Sequence, residues 1–299
     1  MKKRAWILAL CILLIFSGNV HAAKKTKAAS KGRCGKKATY TIDKKKTMVI
    51  KGKGKMTKPS NGKKTVKKVV IRKGITSVGN KAFRGFLHLR KVSLPNGLTD
   101  IGKEAFAATG LKKIVIPGKV TIIRERTFED CDDLTSVSIP DSVTTIGKSA
   151  FVNCIRLSSV KIPSGVKNIE AEAFRYTGLK KVVLPPGLGA ISESLFDSCY
   201  KLKSVTIPSG VKTIGKEAFM ESGLVSVTIP EGVQTIGDYA FSYCYKLKSV
   251  SIPSTLTRAG ADIFDESDNL INIYYNGTQE QWNHLHINIP DEAIVHCKK

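Results

Sequence analysis

The chain has 299 residues, with 49 Lys or Arg against 24 Asp or Glu and a formal net charge of +25 at neutral pH. So basic a chain favours acidic partners, and its motifs exclude several chemistries: there is no phosphate loop, dinucleotide fingerprint or zinc-protease sequence. The charge is uneven. Residues 23–68 carry 18 basic side chains and one acid, Asp43, for a net +17, whereas residues 69–299 carry 28 basic and 23 acidic ones, for only +5.

In chain order, residues 1–22 read as a secretory signal peptide. Lys2, Lys3 and Arg4 form the basic start, residues 5–16 an apolar run too short to span a bilayer comfortably, and Val20-His21-Ala22 a cleavage site. Leu10 precedes Cys11 where a lipoprotein signal needs a small residue, so no lipid anchor is expected. A secreted protein follows, associated with the cell surface only if something else retains it. Residues 23–33 (AKKTKAASKGR) hold no apolar side chain larger than alanine and read as a disordered basic tail. Residues 34–65 read as a Lys-rich β-hairpin cap over the first strand edge.

From residue 66 to 269 one phrase recurs nine times, beginning at Val66, Leu89, Leu111, Leu134, Leu157, Leu179, Leu202, Leu224 and Leu247, with a period of 22 or 23 residues. A period in this range marks a solenoid of stacked units. In the copy LKSVTIPSGVKTIGKEAFMESG, Val205 and Ile207 alternate with polar residues as in a strand with one buried face. Pro208 has no N–H for a ladder and ends that strand. Val211 and Ile214 point the chain back inward, and Gly215–Phe219 suggests a single helical or 3-10 turn. Stacking at about 4.8 Å per strand would pile up Phe83, Phe106, Phe128, Phe151, Phe174, Phe196, Phe219, Phe241 and Phe264 as a core spine. The 22-residue copies end in Thr109-Gly110, Thr177-Gly178 and Ser222-Gly223, where glycine permits a turn shorter by one residue. Residues 270–299 complete the chain as a C-terminal cap and tail.

The phrase L-x-x-V-x-I-P-x-G-V-x-x-I-G-x-x-A-F-x-x-C resembles the BspA-like, or Treponema-type, leucine-rich repeat. Arg33-Cys34-Gly35 with Met48–Gly54 is similar to that family's N-terminal cap, and Ile273–Thr278 with Trp282 to its C-terminal end. The likeness spans roughly residues 33–285. It implies a curved leucine-rich-repeat solenoid with one short parallel strand per copy. It also implies a surface protein that adheres to extracellular-matrix proteins or other cells, since the family shares a scaffold rather than an active site.

Six cysteines follow the signal: Cys34, Cys131, Cys154, Cys199, Cys244 and Cys297. Cys199 and Cys244 are two copies apart, beyond disulfide reach; Cys131 and Cys154 are on adjacent copies and could just meet. Small buried thiols filling a turn are the plainer expectation. No CxxC pair or zinc spacing exists. His284, His286 and His296 read as surface residues and Glu129–Asp133 as a solvated acidic turn, so neither metal nor cofactor is expected. No loop is long enough to graft a catalytic site, and an enzyme is not expected.

The outward strand positions carry the remaining signal. Lys67, Lys68, Arg90, Lys91, Lys112, Lys113, Lys161, Lys180, Lys181, Lys203 and Lys248 fall there, with no acid among them. Two readings stand. The lysines keep an exposed sheet soluble, or they form a basic concave binding face for an extracellular or host matrix protein or an anionic polysaccharide. A separate reading gives the N-terminal segment the job of holding a structural protein on anionic cell-wall polymers. Nucleic acid is disfavoured by the export signal and the lack of interleaved aromatics.

Overall fold

In the computed structural model of the chain, which describes residues 30–298, the copies stack as a solenoid around one continuous apolar core. The signal peptide and residues 23–29 lie outside the described residues. Copies are numbered 1 to 9 from Val66 onward.

Each copy turns three corners. Its first strand, such as Ser136–Ser138 in copy 4, pairs in parallel with the same strand of the copy before, Lys113–Val115. After the proline turn a shorter strand does likewise, as Thr213–Ile214 with Thr235–Ile236. The third side ends in Ala-Phe and is a run of 3-10-type turns, Ala105 N–H donating to Gly102 O and Ala107 N–H to Glu104 O, each at 3.2 Å, without an α-helical turn. Two non-glycine residues of copy 2 there, Glu104 and Ala108, sit at φ of 54° and 52°, and a left-handed residue cannot continue a right-handed helix. The backbone N–H groups serve the next copy instead: Phe106 N–H donates to Thr127 O at 3.0 Å and Phe128 N–H to Ala150 O at 2.9 Å.

The phenylalanine spine forms as the repeat requires. Neighbouring rings stack with centroids 5.3 to 5.9 Å apart, from Phe83 to Phe264, and every ring is buried. All six cysteines of the described residues are free thiols, and the four turn cysteines lie beside the spine. Cys131, Cys154, Cys199 and Cys244 each donate to the phenylalanine carbonyl of the preceding copy, at 3.1 to 3.3 Å. Burial pushes Cys131, Cys199 and Cys244 up to about 11 and Cys154 well above the usual thiol range, so these thiols are hydrogen-bonded packing groups.

The stack is not uniform. The first strand row breaks between copies 2 and 3, on both sides of copy 5, and between copies 7 and 8. Three of these breaks follow the 22-residue copies. There the bond closing the strand start stretches: Lys112 N to Arg90 O is 3.5 Å, Lys180 N to Ser158 O 3.2 Å and Val225 N to Lys203 O 3.3 Å, against 2.9 Å for Arg90 N to Lys67 O. The missing residue shortens the turn, and the strands behind it cannot come fully into register.

The second row breaks only between copies 2 and 3 and between copies 5 and 6. A short copy together with a replaced glycine in the copy behind it decides this. In most copies the glycine of I-G-x-x-A-F lets two backbones touch: a Cβ on Gly102, Gly147, Gly215 or Gly237 would lie 2.5 to 2.8 Å from the preceding copy. Arg124, Glu170 and Ser192 replace that glycine in copies 3, 5 and 6. Glu170 follows a 23-residue copy and its strand stays paired, so the row opens only where the replacement follows a short copy. Side chains bridge both gaps, Arg124 Nε to Asp100 Oδ1 at 2.8 Å and Ser192 Oγ to Ile169 O at 2.5 Å. Copy 8 follows a short copy but keeps Gly237, and its second strand stays paired.

The N-terminal cap differs from expectation in one respect. Residues 30–33, expected as the end of a disordered tail, form the edge strand Ser30–Arg33, antiparallel to Ala38–Ile42. Backbone pairing needs no apolar side chain, so composition could not reveal it. Thr47–Gly52 joins this meander to Lys68–Ile71 in parallel, making one five-stranded sheet with copies 1 and 2. At the other end Asn272–Tyr275, the helix Gln279–His284 and the strand Ile294–Cys297 close the stack; Thr278 caps the helix and Trp282 is buried beneath it. No helix among the described residues is long and apolar enough to cross a membrane.

One buried charge stands out. The Asp197 side chain is fully buried and accepts from Ser198 Oγ at 2.7 Å. Arg175 Nε lies 2.5 Å from its Oδ2 but out of line for a hydrogen bond, so that contact is an ion pair. Burial raises the Asp197 carboxyl above its ordinary range despite both partners.

Phe151→Ala, in the middle of the spine, is expected to cost about 3–5 kcal/mol in chemical denaturation. Arg175→Met strands the buried carboxylate and should cost about 3–5 kcal/mol near neutral pH. A raised carboxyl opposes folding only once it ionises, so this loss should shrink as pH falls from 7 towards the carboxylate range, measured as ΔTm against pH.

Candidate functional site

Alternation along the strands sends Val69, Ile71 and their counterparts into the core and the intervening residues outward. All eleven basic residues singled out from the sequence are exposed, but they do not form one patch. Lys67, Lys68, Arg90, Lys91, Lys112 and Lys113 lie in copies 1–3. Lys161, Lys180, Lys181 and Lys203 lie in copies 5–7, and Lys248 is alone in copy 9. Copy 4 separates the first two groups with Thr135, Ser136 and Ser138.

The first group is extended by the cap. In the five-stranded sheet Lys31 pairs with Thr41, Arg33 with Thr39, Thr39 with Lys51, and Lys68 with Lys91. Lys31, Arg33, Lys51, Lys68 and Lys91 therefore share one outward face, with Lys113 beyond it. Sequence reasoning missed Lys31, Arg33 and Lys51 as face residues because it placed two of them in a disordered tail and did not orient the third. Their alternation with Gly32 and with Ile50 was the available signal. Among the described residues, none of these lysines makes an ion pair. The acids sit on the turn side, where they engage other cations, such as Lys103 with Glu125 at 2.8 Å and Lys148 with Glu172 at 3.3 Å. Two lysines in direct register repel each other, a cost a merely solubilising surface could avoid by spacing them.

Arg90 does something else. Its Nη1 donates to Leu87 O at 3.1 Å and Gly110 O at 3.0 Å and meets Asp133 Oδ2 at 3.1 Å. It ties the short turn of copy 2 to its neighbours, and its charge is already answered.

Beside it the first-row break opens a groove of about 530 Å³, lined by Lys91, Val92, Leu94, Lys112, Lys113 and Val115. Val115 is 69% exposed at its rim. A second groove, about 720 Å³, opens at copies 5 and 6 beside Lys161, Lys181 and exposed Val183. Both follow a 22-residue copy. Elsewhere, His284 Nδ1 lies 2.7 Å from Glu280 O, His296 Nε2 lies 2.9 Å from Asn272 Oδ1, and Asp133 is shared by Arg90 and Arg156. Among the described residues no three His, Cys, Asp or Glu side chains converge as metal ligands.

The sequence profile of the BspA-type leucine-rich repeat region, which holds six copies, matches residues 61–180 and again residues 167–286. The chain belongs to this family. Its nine copies repeat this family's module across most of the chain. The fold is similar to a leucine-rich repeat protein of Eubacterium ventriosum, with a TM-score of 0.54 and 19% identity over 83% of this chain and 79% of that one. A T. pallidum leucine-rich repeat protein matches with a TM-score of 0.51 and 26% identity over 70% of this chain and 86% of that one. No curated protein matches the chain.

Replacing Arg90 with Ser leaves the Gly110 and Leu87 carbonyls without their donor. It should lower stability by about 1–3 kcal/mol in thermal melts.

Proposed function

We propose that this is an exported binding protein that holds an acidic macromolecule on the outward strand face of its cap and first three copies. The observation that carries this reading is the row of cations Lys31, Arg33, Lys51, Lys68, Lys91 and Lys113 across adjoining strands, unanswered by any ion pair. Low-salt attraction from such a row steers an acidic partner in. The groove at Lys91 and Lys113, with Val92, Leu94 and Val115, supplies apolar contact at its end.

Of the chemistries expected from the sequence, an acidic patch on an extracellular or host matrix protein suits a face that combines charge with apolar side chains. Adhesion to a surface bearing that protein is the corresponding role. The alternative role, anchoring on anionic wall polymers through the basic N-terminal segment, draws on the same cations, because Lys31 and Arg33 belong to the sheet. The two roles share a site and differ in the ligand. Export rests on the signal-like residues 1–22, and the family's binding scaffold, with no catalytic constellation in the sequence, supports a non-enzymatic role.

Replacing Lys68, Lys91 and Lys113 together with Ser should weaken binding to an acidic matrix protein at least tenfold, about 1.4 kcal/mol, and flatten its salt dependence. Surface plasmon resonance at two ionic strengths measures both. Unchanged affinity and unchanged salt slope would remove the lysine face from the mechanism.

A further inference from the structure

The two ends of the first strand row are finished differently. At the N-terminal end the edge strand Ser30–Arg33 turns Lys31 and Arg33 outward, and cations on an edge discourage further pairing. At the C-terminal end the edge strand is Ile294–Cys297. It pairs on one side with Asn272–Tyr275 and, among the described residues, with nothing on the other. It holds no lysine, carboxylate or proline.

Three layers of this edge stop where another strand would continue them. Ile294 N–H and Lys298 N–H donate to Ile271 O and Gly277 O at 2.8 and 2.9 Å. Alternation along the strand therefore aims the N–H and C=O groups of Val295 and Cys297 away from the stack. On the inner side Ala293, Val295 and Cys297 pack on the core but stay half-buried, whereas Ile273 and Tyr275, one strand further in, are buried. On the outer side Ile294 is 56% exposed and Tyr274 48%, with His296 stacked on Tyr274 at 5.0 Å.

Charge selects what continues them. The chain enters this strand from Asp291 and Glu292, which with Asp262, Asp265, Glu266 and Asp268 line an acidic hollow, and it leaves at Lys298. We propose that the occupant is the same strand of a second copy, antiparallel about a two-fold axis at Val295. In that register Val295 exchanges two backbone bonds with Val295 of the second copy, and Cys297 N–H faces Ala293 O. Ile294 then lies opposite His296, and Glu292 opposite Lys298. Moving the axis to His296 would set two imidazoles face to face and Ile294 against Lys298. Moving it to Ile294 would run the ladder into the turn that Ala293 N–H closes on Pro290 O. Parallel pairing would align acid with acid and base with base. The contact is isologous and closes as a dimer, with the two basic caps at its far ends. Its ladder is short, so the dimer is expected to be weak, dissociating in the micromolar range.

Sedimentation velocity of the chain lacking residues 1–22, from about 2 to about 200 µM, should show monomer passing into dimer with no larger species. Val295→Pro removes an N–H that bonds nothing within its own copy, so it should weaken the dimer at least tenfold with the melting curve retained. Glu292→Lys should weaken it roughly threefold or more, and Glu292→Lys with Lys298→Glu should restore it, a readout that does not depend on the proline variant folding. Lys68→Ser with Lys91→Ser and Lys113→Ser should leave the dimer unchanged, which keeps this contact separate from the lysine face. A parent chain that stays monomeric, unchanged association of Val295→Pro, or no recovery in the charge-swapped pair would overturn the proposal. Growth into polymers without a dimer limit would also overturn it, in favour of head-to-tail stacking on Ser30–Arg33.

Discussion

Close backbone contact between successive copies is the constraint on which the rest depends. It is made possible where a glycine without a Cβ allows two chains to touch, as at Gly147 and Gly237, and it is rewarded by the phenylalanine rings that then stack at 5.3 to 5.9 Å. Neither works alone. The rings would lose their neighbours if the backbones stood apart, and the close approach would leave buried carbonyls unpaired without the thiols and hydroxyls that bond them, as Cys199 Sγ bonds Phe174 O and Thr177 Oγ bonds its own phenylalanine carbonyl. The array is thus a chain of nearest-neighbour interfaces, and its stability is roughly their sum.

Irregularity in this constraint is where the surface acquires character. A copy one residue short pulls the first strands out of register, and a glycine replaced by Arg124 or Ser192 behind such a copy separates the second ones as well. Where both occur, between copies 2 and 3 and between copies 5 and 6, both rows of the solenoid open. The grooves on the strand face lie at these two junctions. Backbone length and surface relief are linked by simple geometry: removing a residue from a buried turn must be compensated at both of its ends.

Charge follows a separate logic. The turn side carries acids, several of them paired with cations, such as Glu125 with Lys103, whereas the outward strand positions of the cap and first three copies carry none. The positive field is accordingly directional, concentrated on one face at one end. In the proposed function a long-range field of this kind would steer the encounter with a partner, and the apolar groove beside Lys113 would add contact afterwards.

Much of this was legible in the residues themselves. The 22/23 period, the inward Val and Ile of each strand, the nine phenylalanines and the burial of the turn cysteines all follow from spacing and polarity, because each unit sees nearly the same neighbours and local rules therefore extend along the whole stack. The outward position of the lysines was legible for the same reason. What tertiary structure alone decided is less periodic. It placed Ser30–Arg33 in a sheet through backbone bonds that no side chain announces, turned the Arg90 guanidinium onto the Leu87 and Gly110 carbonyls, and set left-handed residues into the expected helical or 3-10 turn so that their N–H groups serve the next copy. Sequence fixes a side chain's preference, but the partner that satisfies a hydrogen bond across copies exists only once the copies are stacked.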